Sequence, residues 1–150
     1  IYNLLTTRPE EIYRALIESV AFGTKVIFDR FEECGATIKN VCAAGGIAQK
    51  DEMMMQIYAD VLNRPIHIAG TKQACARGAA INATVAAGCY PDIFTACDAL
   101  AIPDYCVYYP NEGNRKIYEK LFAEYKILHD YFGTGVNKVM ERLTEMKRGI

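Results

Sequence analysis

The sequence predicts an α/β fold that is rich in helix and short of strand. Three observations carry that expectation. Apolar residues recur at helical spacing over most of the 150 residues. Two short β-compatible segments, within residues 37–46 and 66–69, sit among the helices. Strands separated by helices imply layers with parallel pairing.

The elements follow in order. Thr7-Arg8-Pro9-Glu10 reads as a helix start, with Thr7 as the cap, Pro9 in the first turn and Glu10 completing a capping box. The stripe Ile12, Leu16, Val20, Ile27 and Phe31, with Tyr13, Ile17, Ala21 and Phe28 alongside, reads as the apolar side of a helix. Arg14 with Glu18, and Lys25 with Asp29, stand four apart on a face expected to be solvated. Gly35 supplies the stop. The first strand runs into Gly45-Gly46, and Asp51 opens a second helix that Asn63-Arg64-Pro65 breaks. Residues 66–69 alternate as a second strand, and 73–87 form an alanine-rich helix ending at Gly88. Its small residues, Ala74-Cys75-Ala76-Arg77-Gly78-Ala79-Ala80, suit close packing on a sheet, with any ligand role confined to its first turn near Gln73. Tyr90-Pro91-Asp92 starts a short helix, residues 101–114 read as irregular, and helices over 115–132 and 136–147 form a tail interrupted at Gly133-Thr134-Gly135.

Length fits one domain, yet two strands make a poor sheet and no initiator Met is present, so the chain is expected to be a piece of a longer protein. Hydrophobic residues at 51% and charged residues at 23% argue against bulk disorder. A net charge of −1 argues against a nucleic-acid partner. No apolar run approaches the roughly 20 residues that span a bilayer, and no signal-peptide pattern is visible, so no membrane partner is expected and the cytoplasm is the expected location. The six cysteines, Cys34, Cys42, Cys75, Cys89, Cys97 and Cys106, include no C-x-x-C, and neither His67 nor His129 accompanies a cysteine pair, so no metal site is expected. Neighbours such as Val41, Ala43, Ala74 and Ala76 predict that most of these cysteines are small buried hydrophobes in a reducing compartment.

The chemistry-bearing feature is Ala44-Gly45-Gly46-Ile47-Ala48-Gln49-Lys50. A strand ending in two glycines lets backbone approach a flat ligand closely. The same pattern also suits a tight corner that merely requires positive φ. His67, His129 and the run Met53-Met54-Met55 read as structural, and no P-loop or Ser-His-Asp set occurs.

Gly45-Gly46-Ile47-Ala48-Gln49-Lys50, then Met55-Gln56-Ile57-Tyr58-Ala59-Asp60-Val61 and Arg64-Pro65-Ile66, resemble the C-terminal domain of the FGGY family of carbohydrate kinases. Glu11-Ile12-Tyr13-Arg14-Ala15-Leu16-Ile17-Glu18 and Ala21-Phe22-Gly23 fit the same pattern. So does Ala76-Arg77-Gly78-Ala79-Ala80, where Arg77 replaces the usual leucine. The tail from Tyr118 to Gly133 is similar to the ribulokinase branch of that family. The resemblance implies a partial actin-like (ribonuclease H-like) ATPase domain, with residues 1–150 forming the C-terminal part of the nucleotide-binding domain. It implies ATP and magnesium as cofactors of the intact enzyme, with a sugar substrate and an N-terminal kinase lobe as partners. Gly45 and Gly46 carry over as nucleotide-binding positions. Lys50 stands where some members have an asparagine near the adenine, and Gln49 lies beside it. No catalytic residue carries over: Asp29, Asp51, Asp60 and Asp92 fall outside the expected motif. The chain alone is therefore expected to be inactive and, with an open sheet edge, to self-associate. The alternatives are a family member acting on xylulose, glycerol or a related polyol, and a non-catalytic interaction module that retains the fold.

Overall fold

A computed structural model describes residues 6–133, 135 and 137–148. The order is α1 (Pro9–Glu33), β1 (Val41–Ala43), α2 (Gly46–Lys50), α3 (Glu52–Leu62), β2 (Ile66–Ile68), α4 (Ala74–Ala86), α5 (Ile93–Ala99), β3 (Cys106–Tyr108), α6 (Glu112–Gly133) and α7 (Val139–Arg148).

Local signals set most element ends. Pro9 is the first residue of α1, and the cap falls on Arg8 rather than Thr7. The Arg8 N–H donates to Glu11 Oε2 at 2.9 Å, so Glu11 fills the place expected of Glu10. Gly35, at φ 86°, closes the helix, its N–H donating to Glu32 O at 2.9 Å. Asp51 caps α3 by accepting from Met54 N at 2.9 Å, and Asn63 ends it in the left-handed region. Asp92 caps α5 through Thr95 N at 2.8 Å. These hydrogen bonds hold the Asp92 carboxyl below its ordinary pKa.

The sheet has the order β1-β2-β3. The β1–β2 pair is parallel, as expected, with Val41 opposite Ile66 and Ala43 opposite Ile68. The third strand corrects the irregular reading of residues 101–114: Cys106–Tyr108 pairs antiparallel with β2, Ile66 facing Tyr108 and Ile68 facing Cys106. That edge of the sheet is mixed. Gly133 belongs to α6. The interruption expected at Thr134 and the helix start expected at Val136 fall on residues outside those described.

Helix α3 is the spine of the core. Ile57 and Val61 pack with Ile17, Ala21 and Phe22 of α1 and Tyr118 of α6. Met55, Ala59 and Leu62 pack with Ala48 and the strand residues Ile66 and Ile68. Each fully buried aliphatic side chain contributes about 1.5–3 kcal/mol. The α1 expectation holds only in part: Ile17 and Ala21 of the stripe are buried, but its other members are not. Leu16 is 61% exposed, and Ile12, Val20, Ile27 and Phe31 are exposed with it. The face bearing Arg14, Glu18 and Lys25 instead meets α6. Arg14 Nη2 donates to Tyr118 Oη at 3.0 Å, Tyr118 Oη donates to Glu18 Oε1 at 2.9 Å, and Lys25 lies 5.0 Å from the Phe122 ring. The ion pairs Arg14–Glu18 and Lys25–Asp29 form at 2.8 and 3.0 Å.

Two further expectations fail. Helix α4 buries no residue and packs on α5 rather than closely against the sheet. Five of the six cysteines are exposed, and only Cys106 is partly covered. Both errors share one cause: apolar neighbours in sequence do not reveal whether another layer lies over them.

Candidate functional site

In a parallel pair, both carboxyl ends open on the same side, and ligands of α/β sheets sit outside them. Here β1 leaves into Ala44-Gly45-Gly46 and β2 leaves into Ala69-Gly70-Thr71. Because β3 runs antiparallel, its beginning, at Tyr105, reaches that same edge. Three loops therefore converge.

Gly45 adopts φ 102° and ψ 175°, a region essentially closed to residues with a Cβ. It makes the turn that starts α2 one residue later. Gly46 has no such backbone demand, and a Cβ at Gly46 would meet nothing within 4 Å. Gln49, one turn along α2, donates from Nε2 to Ala69 O at 2.8 Å and ties the two exits together.

A cleft of about 500 Å³ lies at this edge, lined by Gly46, Gln49, Lys50, Lys72, Gln73 and Tyr105. The structure thus gathers three of the four residues singled out from sequence, while Gly45 shapes the turn behind them. Gln73, at the start of α4, joins them. Lys72 and Tyr105 escaped the sequence reading: Lys72 lies in a turn, and Tyr105 precedes an unrecognised strand. No carboxylate lines the cleft, and neither Lys50 nor Lys72 enters an ion pair among the described residues. The cleft accordingly favours an anion, with amide and phenol groups beside it for a polar ring or sugar.

The segment that carries Tyr105 is firmly placed. Tyr105 N donates to Ile68 O at 2.8 Å. His67 Nδ1 lies 2.6 Å from Asp104 Oδ2, which gives that histidine a partner 37 residues away that sequence spacing could not indicate. Gly70 lets the 102–103 backbone approach so closely that a Cβ would fall 2.0 Å from Pro103 O. Among the described residues, no three His, Cys, Asp or Glu side chains gather as a metal centre would need.

The perturbed tyrosines lie away from the cleft. Burial, aided by Cys106, pushes the Tyr108 phenol up to about 12. Burial also raises Tyr118.

Comparison with known proteins gives one consistent picture. Residues 4–87 match the FGGY family of carbohydrate kinases, C-terminal domain. A ribulokinase from Anoxybacillus flavithermus is 49% identical over 150 residues, covering 97% of this chain and 26% of the relative. A ribulokinase from Shouchella clausii is 46% identical over 147 residues, covering 95% of this chain and 26% of the relative. The chain spans about a quarter of the length of these curated relatives. The crystal structure of a xylulose kinase from Rhodospirillum rubrum superposes with a TM-score of 0.66 at 22% identity, covering 83% of this chain and 25% of that one, and shares the fold.

Proposed function

The chain belongs to the FGGY family of carbohydrate kinases, and from that premise we propose that it is the adenosine-side portion of an ATP-dependent sugar kinase of the ribulokinase kind. The observation that carries the reading is the identity to ribulokinases along nearly the whole chain. The cleft supports it independently: a side-chain-free corner suits a flat ring, and two lysines with no ion pair among the described residues suit a charged ligand. Gly46, Gln49 and Lys50 are the nucleotide contacts, and Gly45 holds the corner in place. Residues 1–150 then form the C-terminal part of the nucleotide-binding domain.

In the full-length enzyme a sugar hydroxyl oxygen forms a bond to the γ-phosphorus of ATP. The bond to the β–γ bridging oxygen breaks, ADP leaves, and the hydroxyl proton passes to a base. That chemistry needs a positioned nucleophile and a metal-held phosphate chain. Among the described residues no carboxylate lines the cleft, so the cleft itself offers no protein ligand of the kind magnesium takes. We propose that the base, the magnesium contacts and the sugar contacts lie in the part of the full-length enzyme upstream of this chain. No helix among the described residues is long and apolar enough to cross a membrane; a cytoplasmic location is part of the proposal, since a kinase of this kind draws on ATP.

The test is an assay of the full-length protein with ATP and L-ribulose, xylulose or glycerol in parallel with the 150-residue chain. L-ribulose phosphorylation by the full-length protein alone is expected. Turnover by the short chain would overturn the division of labour, and phosphorylation of xylulose or glycerol without L-ribulose would overturn the substrate.

A further inference from the structure

We propose that Tyr105 is the second wall of the nucleotide site, the face on which the adenine base stacks opposite the Gly45-Gly46 corner. The inference rests on the nucleotide reading above and extends it to a residue that lies outside the corner.

The first argument is placement. Tyr105 lines the same cleft as Gly46, a position that carries no side chain. A planar ligand between a bare backbone and an aromatic ring is enclosed on both faces.

The second is the combination of exposure with rigidity. Tyr105 is 67% exposed, yet three features fix the segment that carries it. The Tyr105 N–H is bonded to Ile68 O, Asp104 is paired with His67, and Pro103 is seated against Gly70. An exposed aromatic side chain on an anchored backbone presents its apolar surface to solvent at little conformational cost, and base–aromatic stacking uses such a surface. His67 and Gly70 thereby become positioning residues for Tyr105.

The third is charge. With Lys50 and Lys72 in no ion pair among the described residues and no carboxylate in the lining, the same cleft accommodates the polar and anionic remainder of a nucleotide.

The experiment measures dissociation constants for adenosine and for ATP by calorimetry on the full-length protein, with Tyr105→Ala, Tyr105→Leu, Tyr105→Phe and Gly46→Val as variants and melting temperature as the fold control. Tyr105→Ala and Tyr105→Leu should weaken adenosine and ATP by the same factor, about 10-fold, as loss of base stacking predicts. Tyr105→Phe should retain wild-type affinity. Loss in Tyr105→Phe equal to that in Tyr105→Ala would overturn stacking in favour of the hydroxyl. Unchanged adenosine affinity in Tyr105→Ala and Tyr105→Leu, with Gly46→Val still weakening it, would overturn the role of Tyr105 and leave the nucleotide reading standing. Unchanged affinity in all the folded variants would overturn both.

Discussion

The buried Asp60 carboxylate accepts the Asn111 backbone N–H at 2.7 Å, joining the last turn of α3 to the cap of α6. Asn111 in turn caps that helix, its Oδ1 accepting from Gly113 N at 3.0 Å and Asn114 N at 3.2 Å. Asp60 also accepts from Gln56 Nε2 at 2.8 Å and Asn114 Nδ2 at 2.9 Å, so its charge is met by three donors rather than by a cation.

Asp60→Ala should therefore cost about 3–4 kcal/mol, since it orphans buried donors as well as removing charge-assisted bonds. Asp60→Asn keeps the acceptor at Oδ1 and should cost about 1–2 kcal/mol, the amide opposite Asn114 having to reorient. Urea unfolding of both variants checks the order. Equal losses would show that the carboxylate geometry is not what holds α6.

The two glycines of the corner should separate cleanly. Gly45→Ala places a Cβ at φ 102° and should cost about 1–3 kcal/mol of stability. Gly46→Ala has open space and no backbone strain, so stability should change by less than about 0.5 kcal/mol. In the full-length enzyme, Gly46→Val should raise the KM for ATP well above any change in the KM for sugar. Melting temperatures and both constants are the readouts. An unchanged ATP constant in folded Gly46→Val would remove the nucleotide role.

Alkaline pH should reveal the α1–α6 contact. Burial raises the Tyr118 phenol above its ordinary value, which is about 10. A group whose folded pKa is raised contributes stability in full below its unfolded pKa and loses it as pH climbs through the folded one. Stability should thus fall above pH about 10, and Tyr118→Phe should flatten that fall. Absorbance at 295 nm should show Tyr118 and Tyr108 ionising after the exposed tyrosines; simultaneous ionisation would contradict their burial.

The isolated chain should react rapidly with a thiol reagent at Cys34, Cys42, Cys75, Cys89 and Cys97, and slowly at Cys106 on β3. Fast reaction of Cys106, or protection of the other five, would contradict the exposure described. Protection of the five in the full-length protein alone would identify surfaces that the rest of that protein covers.

Self-association is expected of the isolated chain. β1 has a free edge, and Ile12, Leu16, Val20, Ile27 and Phe31 form an exposed stripe on α1. Light scattering should find dimers or larger species, and Leu16→Lys with Val20→Glu should shift them towards monomer. A monomer at all concentrations would show that the stripe is not adhesive.

Much of the architecture was legible where a residue acts on its own backbone. Pro9, Asp51, Asn63, Gly88 and Asp92 each set an element end through local geometry. Cys106-Val107-Tyr108 was not legible, because it is a strand only by pairing with β2, while Pro103 and Pro110 around it argue for a loop. On α1, two apolar faces compete, and sequence cannot say which one α3 and α6 cover. The glycine corner was readable as a ligand approach and also as a tight turn. The two demands prove to be divided: Gly45 meets the backbone demand, while Gly46 lines the cleft. Lys72 and Tyr105 reach the cleft only through the sheet topology, so periodicity carries no trace of them.

The α1–α6 contact also bears on how the chain is made. Tyr118 and Glu18 are 100 residues apart, and Phe22 and Ile17 have their cover completed only when α6 arrives. At a synthesis rate of roughly 5–20 residues per second, α1 leaves the ribosome about 5–20 s before its partner. For that interval the face that α6 completes has at most its α3 cover, from Ile57 and Val61, and the exposed stripe beside it is bare, so the nascent segment is expected to need chaperones that hold apolar surface until α6 emerges.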